Sequence, residues 1–158
     1  MTKSIRQRRL SGKTDYKARL ALLKSGKPRL VVRKTNRYMI AQIISSDVAQ
    51  DKVVLGLTSK DLIAKGWPKE KSGSLKSLTA CYLLGLMLGN EAKAKTKEAI
   101  LDSGMYRNIQ KSRLYSVLKG VVDSGLKVPC NEKSLPKIEE INKKEDLKSI
   151  FNKMKDKM

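Results

Sequence analysis

Residues 77–94 read "SLTACYLLGLMLGNEAKA", with apolar side chains on nearly every side of a helical wheel and no charge before Glu91. A helix lying on a surface keeps one polar stripe, so a helix apolar nearly all round has to be enclosed. A membrane does not enclose it, because the run from Leu78 to Leu88 falls short of the roughly 20 residues a bilayer requires. The segment therefore predicts a helix packed on a sheet, with Gly85 and Gly89 letting it lie tight on that sheet rather than forming a membrane motif. The strands are found on either side of it. Leu30–Thr35 and Tyr38–Ser45, rich in Val and Ile, form an opening hairpin, and "DKVVLGLTS" is a third strand entered through a polar loop, "SSDVAQD". After the helix, "EAILDSG" is a buried strand and "MYRNIQK" a loop. "SRLYSVLKGVVDSGL" is a second helix, capped by Ser112 and closed by Gly125.

This order of elements implies an α/β fold, a mixed sheet covered by helices. If strand three and "AILD" run parallel, the connection through the long helix is a right-handed crossover. Smaller elements complete the reading. "TDYKARLALLKSGKP" is a short helix with Thr14 as N-cap, Asp15 at its positive end, Gly26 past its C-cap and Pro28 forbidding continuation. Tyr16, Leu20 and Leu23 share one face of it. "KDLIAKGW" is a short helix, "PKEKSGSLK" a polar linker, and Glu145–Lys157 an amphipathic helix in a charge-balanced tail. The expected division is a basic arm and short helix over 1–26, an α/β domain over 27–130 and a charged tail over 131–158, with the folding elements complete by Val128.

Charge narrows the function. The 158 residues include 35 Lys and Arg against 15 Asp and Glu, a formal net charge of +20. Self-repulsion on that scale disfavours a compact chain, and a polyanionic partner accounts for it. The excess is uneven. Residues 1–37 hold thirteen Lys or Arg and one acid, Asp15, so +12 of the total lies there. Residues 1–13 have no hydrophobic period, which predicts an arm ordered only on binding.

Catalysis is poorly supplied. The chain has no histidine, hence neither the usual general base nor the commonest metal ligand, and no metal or cofactor is expected. "SGKT" resembles the end of a phosphate-binding loop, but the first glycine of that motif would stand at Gln7, with no strand before it. A nuclease on a mixed sheet would need several acids converging on Mg²⁺. The strands offer Asp102, which reads as a structural acid capping a turn or pairing with Arg107. Cys81 and Cys130 lack the spacing of a disulfide scaffold or metal site, which suits a reducing compartment. The N-terminus has no apolar segment of the signal-peptide kind.

The basic positions remain. Tyr16 and Tyr38 interleave with the cations, Arg carries a forked donor for phosphate, and such backbone contacts dominate nucleic-acid affinity. A membrane surface is the rival polyanion, but the arm has no basic amphipathic helix with a broad apolar face. Nucleic acid is the better partner.

Four ordered stretches, "GKTDYKAR", "SGKPRLVVRKTNRYMIAQII", "ILDSGMYR" and "LKGVVDSGLKVP", carry a resemblance. Over about Arg8 to Pro129 the chain is similar to the 5S rRNA-binding ribosomal protein family numbered eighteen in the large-subunit series, in its archaeal and eukaryotic branch. The compact length resembles the archaeal members. The resemblance implies a three-layer α/β/α domain in a ribonuclease-H-like arrangement, without the nuclease's acids. It implies a non-enzymatic, cytoplasmic component of the large subunit that binds 5S rRNA in the central protuberance and touches 23S-type rRNA and neighbouring ribosomal proteins. Arg8, Arg9, Lys13, Tyr16 and Arg19 match the family's basic arm and first helix. Arg29, Arg33, Lys34, Thr35, Asn36, Arg37 and Gln42 match the hairpin that lies on 5S rRNA, with Tyr38 a candidate for stacking. Tyr106, Arg107, Lys111 and Arg113 match a loop and helix start on the same side. The linker 68–80 departs from the family's Gly-, Asn- and Ala-rich pattern. A non-ribosomal RNA-binding protein and a metal-dependent nuclease are the alternatives.

Overall fold

Alternation of side chains along the first hairpin sets the layers. The computed structural model describes residues 11–12, 14–47, 50–143 and 145–155. Strand β1 (Arg29–Lys34) pairs antiparallel with β2 (Met39–Asp47), and β2 pairs antiparallel with β3 (Gln50–Thr58). Strand β4 (Ile100–Asp102) runs parallel to β1, so the sheet is mixed, in the order β3-β2-β1-β4. Leu30 stands opposite Ile43 and Val32 opposite Ala41, and all four are at most 1 % exposed. They share the inner face because side chains two apart on a strand point the same way. Arg29, Val31 and Arg33 therefore lie on the other, outer face. The expected polar loop over 45–51 is strand at both of its described ends. Ser45, Ser46 and Asp47 continue β2 opposite Lys52, Asp51 and Gln50, where an exposed strand end accommodates polar side chains while the ladder bonds hold the backbone.

Helix α1 (Tyr16–Lys24) lies outside the sheet, followed after β3 by α2 (Asp61–Ala64), α3 (Leu78–Ala92), α4 (Arg113–Asp123), α5 (Ile138–Ile141) and α6 (Glu145–Lys155). Helices cover both sides of the sheet, a three-layer α/β arrangement. Asp15, not Thr14, is the N-cap of α1, its carboxylate accepting the N–H groups of Lys17 and Ala18 at 3.0 Å each. Gly26 follows the C-cap at φ +66°, as expected. No residue of α1 is buried, and its Tyr16 and Leu20 are exposed.

The enclosed helix is α3, started by Ser77, whose hydroxyl accepts the Ala80 N–H at 3.2 Å. It is apolar all round because it is walled all round, by β2 and β3, by α4, and by α5 and α6. Its glycines face α4 rather than the sheet, a correction to the sequence reading. A Cβ on Gly85 would stand 2.0 Å from the Val117 carbonyl oxygen, and one on Gly120 2.1 Å from the Tyr82 carbonyl oxygen. The two backbones meet where neither helix has a side chain. Ser116 fastens the crossing by donating to the Leu78 carbonyl at 2.7 Å.

The elements are not complete by Val128. Leu135, Ile141, Leu147, Phe151 and Met154 are buried in the same cluster as Leu30 and Leu84. The Phe151 ring lies 5.4 Å from that of Tyr82, and Thr79 donates to the Ile141 carbonyl at 2.9 Å. The segment 68–76 is likewise more than a polar linker. It contains a 3₁₀ helix (Lys69–Ser74) and buried Leu75, and the Trp67 indole beside it donates to the Lys71 carbonyl at 3.1 Å. Both cysteines are free, and burial pushes the Cys81 thiol up to about 12. Among the described residues no helix is long and apolar enough to cross a membrane.

Candidate nucleic-acid interface

The β1–β2 turn presents cations on a braced tip. Thr35 closes it with its N–H and its hydroxyl, both donating to the Tyr38 carbonyl at 3.0 and 2.7 Å. The Tyr38 N–H returns to the Thr35 hydroxyl at 3.0 Å. From the loop after β4 the Tyr106 hydroxyl accepts the Lys34 N–H at 3.1 Å and donates to the Lys34 carbonyl at 2.7 Å. The Lys34 ammonium lies 5.7 Å from the Tyr106 ring centre. Asn36 and Arg37 project from this frame, exposed, and the Arg37 guanidinium has no partner among the described residues.

Two cations that sequence reasoning passed over join the tip. Lys60 sits over the Tyr38 ring at 4.4 Å, and the Lys76 ammonium donates to the Asn36 carbonyl at 2.7 Å. Nothing local marks either residue, since Lys76 lies 40 positions from Asn36. Lys34, Arg37, Lys60 and Lys76 thus form one cationic rim.

The neighbouring arginines behave differently. On the outer sheet face Arg29 gives one nitrogen to Asp102 at 2.7 Å and the other to Asp51 at 2.6 Å and Ser46 at 3.2 Å. Its side chain is 3 % exposed, so its charge is spent inside the protein. Arg33 reaches the other Asp102 oxygen at 2.9 Å and the Asp102 carbonyl at 2.7 Å, while Arg19 of α1 reaches Asp51 at 2.9 Å. The result is a chain, Arg19–Asp51–Arg29–Asp102–Arg33, that ties α1 to three strands. Asp102 does cap a turn, accepting the Gly104 N–H at 2.9 Å, but it pairs with Arg29 and Arg33 and not with Arg107. Burial alone would raise both acids. The Arg33 hydrogen bond and charge, then the Gly104 N–H and Arg29, outweigh it at Asp102. At Asp51 the hydrogen bonds from Ser46, Arg29 and Arg19 hold the carboxyl down at about 2.

Beyond Asp102 the chain runs along the tip. Arg107 and Arg113 are exposed, and Lys111 pairs with Glu140 of α5 at 2.5 Å, its backbone held at φ +55°. Gln42 lies half-buried on the outer face against Gly56, and Tyr16 lies on α1 apart from the tip. Arg8, Arg9 and Lys13, with most of the arm whose ordering was expected on binding, lie outside the described residues. The tip and the loop behind it therefore gather Lys34, Thr35, Asn36, Arg37, Tyr38, Tyr106, Arg107 and Arg113, whereas Arg19, Arg29 and Arg33 brace the sheet beneath.

A mixed sheet between helices, with a braced hairpin of its two central strands carrying cations at one end, defines a three-layer α/β protein with a basic rim. The sequence pattern of the family described as ribosomal large subunit proteins 60S L5 and 50S L18 matches residues 2–99. The large ribosomal subunit protein uL18 of Korarchaeum cryptofilum (strain OPF8) is 49 % identical over 131 residues, which cover 82 % of this chain. The match spans 65 % of that relative's own length. The chain belongs to the family of ribosomal large subunit proteins 60S L5 and 50S L18, and is archaeal-like within it.

Proposed function

We propose that the protein is a structural constituent of the large ribosomal subunit that binds 5S rRNA and helps attach it to large-subunit rRNA in the central protuberance, beside neighbouring ribosomal proteins. The observation that carries this reading is the β1–β2 tip. Lys34 and Arg37 stand on a backbone locked by Thr35 and Tyr106, and Lys60 and Lys76 join them there from other segments. A rigid cationic edge meets phosphates at fixed spacing, and Asn36 and Tyr38 stand where sugar or base contacts would confer selectivity. The nuclease alternative loses its acid, because both oxygens of Asp102 are engaged by guanidinium groups.

Salt titration on 5S rRNA and on an unrelated structured RNA tests the division of labour. Deleting residues 1–13 removes Lys3, Arg6, Arg8, Arg9 and Lys13. It is expected to weaken both complexes alike and to flatten the slope of log affinity on log salt by up to about four units, at roughly 0.7–0.9 per phosphate neutralised. Lys34→Ala with Arg37→Ala is expected to flatten the slope less and to cost more on 5S rRNA. Equal affinity of the full chain for both RNAs would reduce the protein to a general RNA binder.

A further inference from the structure

The fold leaves a cavity of about 450 Å³ between α1 and β4 and another of about 430 Å³ behind the hairpin tip, and the second has unusual walls. Met39, Leu78, Ile109 and Leu114 give it an apolar floor and side, and the half-buried Tyr106 forms part of the wall. Three cations, Lys34, Arg107 and Arg113, stand around it, and all are exposed. Ser112 also lines it, and the Ser112 hydroxyl oxygen is buried without a hydrogen-bond partner. Ile109 remains 57 % exposed, so apolar surface at the mouth is left uncovered.

These features conflict in a free protein. An apolar hollow excludes water, an orphan hydroxyl costs free energy, and three cations around one opening repel one another. A single occupant with a flat apolar face and an attached anion resolves all three. We propose that this cavity receives one unstacked nucleotide of the bound RNA, with the base against Tyr106 and the aliphatic floor and its phosphate among Lys34, Arg107 and Arg113. An acceptor on that nucleotide takes the Ser112 hydroxyl proton, which has no partner to give up. Charge decides against the side chain of a neighbouring protein, since an apolar residue would fill the hollow and leave the three cations unneutralised. Single-stranded RNA is recognised through bases splayed from the stack, and a base resting on an aromatic ring is tolerant of sequence. The inference rests on the RNA-binding reading above and names a subsite within it.

The test uses the full chain and 5S rRNA transcribed with 4-thiouridine, cross-linked at long wavelength and mapped by mass spectrometry. The expected result is a nucleotide joined to the peptide carrying Tyr106 and Ile109. Ile109→Trp, which plugs the mouth from an exposed position, is expected to remove that cross-link and to weaken 5S rRNA binding on the order of tenfold. Ser112→Ala is the second arm. It is expected to weaken RNA binding several-fold while leaving the melting temperature of the free protein unchanged or raised, because it deletes an orphan polar atom. If the full chain binds 5S rRNA and both variants bind equally well, the subsite is refuted while the broader function stands. If the full chain does not bind 5S rRNA, the function itself fails. If Ile109→Trp spares RNA binding but blocks association with another ribosomal protein, the cavity belongs to that protein and the proposal is overturned.

Discussion

Asp102 shows how much one side chain can be asked to do. Its two oxygens hold Arg29 and Arg33, and the Arg29 side chain has almost no access to water. Removing one partner of a buried pair strands a charge, whereas removing both leaves an apolar contact. Asp102→Ala is therefore expected to destabilise the protein by roughly 3 kcal/mol, measured by urea denaturation. Asp51 supports a pH prediction. Its carboxyl is held down from 3.8 to about 2, so its contribution is fully present above the unfolded value and disappears as pH falls through the folded one. Stability is expected to fall between about pH 4 and pH 2, and Asp51→Asn to be less stable at neutral pH and flatter across that window. An unchanged profile in the variant would assign the acid sensitivity elsewhere.

Among the elements, the crossing of α3 and α4 is the tightest joint. The helices touch through backbone at Gly85, where a methyl would overlap the Val117 carbonyl oxygen at 2.0 Å. Backbone cannot rotate aside as a flexible side chain does, so the helices must part and their flanking contacts loosen. Gly85→Ala is expected to cost about 3 kcal/mol. Gly73→Ala, with nothing within 4 Å of its added methyl, is expected to stay within about 0.5 kcal/mol of the parent. Thermal melts of the two variants decide it, and similar melting temperatures would mean that the crossing is slack.

For the whole molecule the decisive feature is the tail. Leu147, Phe151 and Met154 are each at most 3 % exposed, and α6 closes the side of α3 that neither sheet nor α4 covers. Burying an aromatic side chain of this kind is worth about 3–5 kcal/mol, and the net stability of a domain is only about 5–15 kcal/mol. A chain ending at Pro129 is therefore expected to lose its cooperative unfolding transition, and Phe151→Ala alone to lose a large part of its stability. Far- and near-ultraviolet circular dichroism reads both. A truncated chain that melts cooperatively would show that α6 is an accessory.

Much of this architecture was legible because it is written in short-range patterns. The alternation in 30–45 announces a hairpin, the wheel of 77–94 announces an enclosed helix, and Gly26 and Gly125 announce helix ends, each a matter of a few neighbouring residues. The basic tip at Lys34–Arg37 belongs to the same class, because a turn must expose what it carries. What the sequence could not settle is which cations stay free. Arg29 and Arg37 look alike in the chain, yet Arg29 meets Asp51 and Asp102 from 22 and 73 positions away while Arg37 meets neither. The same holds for Lys60 and Lys76 beside the tip, for the glycines that turned toward α4 and for the tail that completed the core. Pairing at such separations depends on how the layers stack and on which face each strand turns inward. Only the tertiary structure, by fixing strand order and the depth at which each charge lies, divided the arginines into those that hold the sheet together and those left at its edge.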